Sequence, residues 1–124
     1  MRFTILALIT SVSLTACISA SEPGSYDSDL NRKTAGASVV SAFAKMCGGQ
    51  RINEYRESFI KTMKTQRAVS SEAETKIRAQ YAQADASVAA RFADASARNE
   101  HCKQYPVDQA AIDRGVAGDF TGQI

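Results

Sequence analysis

Between Ser70 and Tyr105, apolar side chains recur at Ile77, Tyr81, Ala84, Val88, Phe92, Ala95 and Cys102. The intervals are three, four or their sum, which sets these residues along one face of a 3.6-residue helix. Ser71, followed three residues later by Glu74, makes a capping box at its start. Pro106 turns Tyr105 away from helix and marks its end. The pattern predicts one long amphipathic helix as the organising element.

Two helices precede it. Asp27 or Ser28 caps the first, which runs to about Met46, with Ala37, Val40, Phe43, Ala44 and Cys47 inward and Asn31, Lys33, Ser38 and Lys45 outward. Gly48-Gly49 supplies the left-handed conformation that ends a helix and reverses the chain. The second helix spans about Ile52 to Gln66 and presents Ile52, Tyr55, Phe59, Ile60 and Met63. After Pro106, Asp108 caps a short helix through about Asp113, which Gly115 stops. No stretch alternates with period two for long enough to argue a strand. The expected fold is all-α, a small up-down bundle of three main helices plus a short C-terminal helix, with one disulfide. Its domain occupies residues 29–115. Residues 116–124, with Gly118 and Gly122 around a single Phe120, are expected to be a loose tail in which Phe120 is a candidate anchor on a partner.

Composition narrows the picture. A chain of 124 residues, 44% hydrophobic, suffices for one domain. With no Trp, five Phe and four Tyr, its core is thin and suits close-packed helices. Fifteen Lys and Arg against thirteen Asp and Glu is too even for a nucleic-acid binder.

The N-terminus reads as a secretory leader. Arg2 supplies a positive start and Phe3 to Leu14 an apolar run broken only by Thr and Ser. The run is too short to span a ~30 Å hydrocarbon core as a permanent helix. Leu14-Thr15-Ala16-Cys17 resembles the lipobox of bacterial lipoproteins. The resemblance implies removal of residues 1–16, lipidation of Cys17 and a lipid-anchored protein of the bacterial envelope. In that family Asp after the lipidated cysteine retains the product at the inner membrane; here the residue is Ile18, which implies the outer membrane. The alternative is cleavage after Ala20 and a soluble periplasmic protein. Residues 17–28, polar and containing Pro23 and Gly24, are expected to be a flexible tether.

Export also decides the cysteine chemistry. Cys47 and Cys102 are the two thiols left, and in an oxidising compartment a pair in a small domain is most simply a disulfide. On the chain-entropy account such a loop contributes roughly 4 kcal/mol. The bridge conflicts with a straight third helix. If helices two and three run antiparallel, the height of Arg51 is matched near Ser87, and Cys102 lies ~22 Å beyond it. Relief requires a bend or break around Asp94 to Asn99, where Ser96 and Asn99 are weak helix formers, or a first helix that continues the line of the second.

Catalytic patterns are missing. His101 adjoins Cys102, but helical neighbours diverge by about 100° and do not make a nucleophile pair. Cys47, His101 and Cys102 lack the paired spacing of a zinc site. Asp85 and Asp94 are expected to be solvated, and no phosphate-binding loop or dinucleotide fingerprint occurs. No enzyme, metal or cofactor is expected. Arg51, Arg56, Lys61, Lys64 and Arg67 form a locally basic segment against Glu54 and Glu57. It is read either as a contact for headgroups or an acidic partner, or as a solvated face with pairs such as Glu57 with Lys61. The expected function is a non-catalytic module that binds an envelope protein, as an accessory of a secretion or conjugation apparatus or an immunity-type inhibitor. The alternatives are a structural component packing on the membrane through helix 51–67, and a soluble periplasmic binder of a small ligand.

Overall fold

The computed structural model describes residues 22–124, so the segment read as a leader, Cys17 and the first part of the expected tether lie outside the described residues. Five helices follow in order: α1 (Ser28–Met46), α2 (Ile52–Gln66), α3 (Ser71–Arg91), α4 (Ala95–Gln104) and α5 (Gln109–Val116). There is no strand among the described residues. α1 packs along α3 and against α2, and α2 packs also on α5.

The core forms where these faces meet. Leu30 and Ala37 of α1, Tyr55, Phe59 and Met63 of α2, Ile77 and Tyr81 of α3, and Ile112 of α5 are all buried together. Phe59 meets Tyr81 and Phe120 edge-on, with ring centroids 6.5 and 5.6 Å away. Each such aromatic contact contributes about 1 kcal/mol beyond its area. All five apolar residues assigned to α2 are buried. α1 differs from expectation because it faces two helices rather than one. Its buried arc therefore takes in Thr34, Ser38 and Ser41, with Ser38 inward rather than outward, while Val40 and Phe43 are only half-buried. Small side chains let three helices approach closely at that point.

The caps explain the boundaries. Asp27 accepts the Leu30 N–H at 2.9 Å and starts α1. Gly48 takes a left-handed φ of 82°, and Gly49 sits so close that a Cβ would lie 2.8 Å from the Ala44 carbonyl oxygen. The two glycines thus serve separate needs in one reversal. α3 starts one residue earlier than the capping box implied: Ser70, not Ser71, accepts the Ala73 N–H at 3.1 Å. The Ser70 N–H is itself bound by the Gly24 carbonyl at 2.9 Å, which sets the register. Glu74 goes instead to Lys64 and Arg78, at 2.7 and 3.0 Å.

The long third helix is two helices. Cys47 and Cys102 are bonded, with their Cα atoms 5.4 Å apart, and the chain breaks after Arg91 so that α4 can carry Cys102 back to the end of α1. Asp94 caps the new start by accepting the Ala97 N–H at 2.9 Å. The break that the bridge required thus falls at residues 92–94, at the near edge of the Asp94 to Asn99 stretch expected to yield, while Ser96 and Asn99 are helical within α4.

Both ends of the domain are more tightly held than composition implied. Residues 22–27, assigned to a flexible tether, lie on the α2–α3 turn, where Arg67 donates to the Asp27 carboxylate at 3.0 and 2.6 Å. The Tyr26 hydroxyl donates to Gln80 of α3. At the other end α5 continues through Gly115, because the missing Cβ lets the helix press on Tyr55; a Cβ there would collide with that ring. Phe120, expected in a loose tail, is 4% exposed and fills the space over Tyr55 and Phe59 that α5 is too short to cover. Gln123 closes the segment, accepting from Tyr55 at 2.8 Å and donating to the Ala111 carbonyl at 3.0 Å.

Candidate functional site

The basic segment of α2 does not assemble into one patch. Arg51 pairs with Glu54 at 3.0 Å and Asp113 at 3.6 Å, Lys64 with Glu74, and Arg67 with Asp27. Lys61 is exposed and has no ion pair among the described residues. Glu57 pairs not with Lys61 but with Arg78 across to α3, at 3.1 Å. Phe120 is in the core, and Cys17 lies outside the described residues.

Arg56 points inward. Its guanidinium donates to both oxygens of Asp85 at 2.9 and 2.6 Å and to Ser41 Oγ at 2.9 Å, and lies 5.0 Å from the centre of the Tyr81 ring. It therefore ties α1, α2 and α3 together. Asp85, read from the sequence as solvated, is its partner, and Lys45 adds a further bond at 3.1 Å. The Arg56 hydrogen bonds hold the Asp85 carboxyl below its ordinary range, with Lys45 assisting. Burial pushes the Tyr81 hydroxyl up. The missed signal lay in the spacing: Arg56 stands four residues from both Ile52 and Ile60, inside the apolar stripe.

The ionisable groups are tuned for structure. Asp27 is lowered to about 2, chiefly by its hydrogen bonds from Arg67. Glu57 is lowered by Arg78, and Glu74 by Lys64 and Arg78. Both thiols described are consumed in the bridge, and among the described residues no three His, Cys, Asp or Glu side chains converge as a metal site demands.

The disulfide end of the molecule carries a different surface. Phe43 at the end of α1 stacks on His101 of α4 at 5.2 Å and meets Phe92 edge-on at 6.1 Å. His101 also lies against Phe92 at 4.6 Å and Tyr105 at 5.1 Å. This cluster is open to solvent: Tyr105 is 60% exposed, and Val39, one turn before Phe43, is 51% exposed. Phe43 divides two shallow grooves. One, about 350 Å³, runs between α1 and α3 past Val39, Ala84 and Val88. The other, about 300 Å³, runs past Val40, Tyr105 and Ile112. Of these residues the sequence drew attention only to His101, and as a neighbour of Cys102 rather than as part of a surface, since Phe43 and His101 meet only through the bridge beside them.

No protein-family model matches this chain, and neither the curated proteins nor the solved structures contain a match to it.

Proposed function

We propose that this chain is a lipid-anchored envelope protein that works by binding another protein, through the surface around Phe43, His101 and Tyr105. The observation that carries the reading is the aromatic cluster itself: large, half-exposed rings held in fixed positions by a disulfide, flanked by two grooves. Aromatic side chains in rigid settings are the groups that dominate protein interfaces, because they bury much area for little lost freedom.

Orientation supports it. The chain enters the domain at the α2–α3 turn, where Gly24 and Asp27 are held, beside the start of α1. The cluster lies at the other end of that helix, ~25 Å away at 1.5 Å per residue. With Cys17 lipidated, the anchor joins the domain at the entry end, and the aromatic surface lies at the end opposite to that junction. Packing on the bilayer through α2 has less support, since four of its five cations are committed to carboxylates. Within this reading the partner is a subunit of a secretion or conjugation apparatus, or a toxin that the protein inhibits.

The test is a photo-activated crosslinking residue placed at Val39 or Tyr105, and at Thr65 as a control, in cells. Discrete adducts from the first two positions alone are expected. Equal adducts from all three, or none from any, contradict the reading. So does turnover of a peptidoglycan or lipid substrate by the purified protein.

A further inference from the structure

A third groove, about 430 Å³, lies between α1, α3 and α4. Its floor is apolar, made chiefly by Met46, Val88 and Phe92, and its charged lining is Lys45, Arg98 and Asp85. The charges are unbalanced. Asp85 is already held by two bonds from Arg56, so Lys45 makes a surplus contact to it from a side chain that is 57% exposed. Lys45 is therefore able to swing to another anion without leaving Asp85 unpaired. Arg98, on the inward face of α4, has no ion pair among the described residues. Two available cations thus stand over an apolar floor in a space within the size range of small-molecule sites.

We propose that this groove binds a single-chain anionic amphiphile, its head between Lys45 and Arg98 and its tail along Met46, Val88 and Phe92. Neither half suffices alone. The cations are too solvated to hold a small anion tightly, and the floor is too open to hold an uncharged chain. The ligand chemistry has two sources, a free fatty carboxylate and the phosphate of a lysophospholipid. The inference does not rest on protein binding at Tyr105, and the crosslinking result there stands whichever way this one falls.

Titration calorimetry tests it on the purified, disulfide-bonded chain, with dodecanoate and dodecanoyl lysophosphatidylglycerol, an anionic lysophospholipid of equal chain length, each below its micelle concentration. One saturable site is expected. Tighter dodecanoate binding assigns the carboxylate as head, and tighter lysophospholipid binding assigns the phosphate; either supports the site. Each methylene removed from the tail is expected to weaken binding by less than the roughly fourfold of full burial, since the groove is open on one side. Arg98→Gln and Lys45→Gln are each expected to weaken it about fivefold, while Lys76→Gln, on the far part of α3, binds as the parent does. Both variants change surface side chains, and an unchanged melting curve confirms that the fold persists. As a second readout, the Met46 methyl resonance shifts in step with dodecanoate occupancy. The proposal is overturned by absence of saturable binding, by parent-like binding in both variants, or by inorganic phosphate or dodecanol binding as tightly as dodecanoate.

Discussion

α2 and α4 are both short helices, and different forces hold them. α2 buries six side chains, from Ile52 to Met63, between its neighbours. α4 buries none, yet it ends in a fixed place because Cys102 is bonded to Cys47 and His101 is stacked on Phe43. One helix is positioned by area removed from water and the other by a covalent bond beside the contacts of His101 with Phe43 and Phe92. On the binding role proposed above, the division has a reason: side chains left at the surface of α4 for a partner cannot also be spent on a core.

The largest way to break the comparison is Phe59→Ala, which empties the middle of the core. It is expected to lower unfolding free energy by about 4 kcal/mol in urea titration, with α4 lost along with everything else. Next comes Cys47→Ser with Cys102→Ser. This is expected to lower stability by roughly 3 kcal/mol and to release α4, while the helical signal of the other four helices is kept in native buffer. Asp85→Ala leaves Arg56 buried without its carboxylate and is expected to cost about 2 kcal/mol, the charge being partly reached by water. Arg56→Met with Asp85→Leu is expected to recover most of that loss in the same titration.

The smallest effect concerns the entry strap. Asp27 ionises at about 2 in the fold against an ordinary 3.8. A lowered value means that its contribution is complete above pH ~4 and fades as the pH falls toward 2. Asp27→Asn is therefore expected to remove part of the acid-induced loss of stability between those limits, measured by melting temperature against pH.

How much was legible in the sequence depends on whether local rules or distant contacts decide. The bounds of α2 were readable because its stripe is regular, and the reversal after Met46 because two adjacent glycines admit few alternatives. The need for a break followed from combining a helix length with a disulfide, but its place did not: the weak helix formers Ser96 and Asn99 stay helical in α4, and the chain turns ahead of them because Asp94 caps the new helix. Arg56 was read as outward because charge is normally solvated, although its place in the stripe pointed inward; only Asp85 across the interface resolves the conflict. Phe120 has no periodic neighbours in a glycine-rich segment, so nothing local announces that it covers Phe59. Ser70 won over Ser71 as a cap through Gly24, a contact from a segment assigned to the tether. The aromatic surface was least legible, since Phe43, Phe92 and Tyr105 come from separate helices and converge only once Cys47 meets Cys102.

Hydrogen exchange read by mass spectrometry, before and after reduction of the disulfide with dithiothreitol, measures the difference between the two helices directly. Reduction is expected to release residues 95–104 to near-complete exchange within seconds while residues 52–66 keep their protection. Equal acceleration in both segments, or unchanged protection of α4, would contradict that difference.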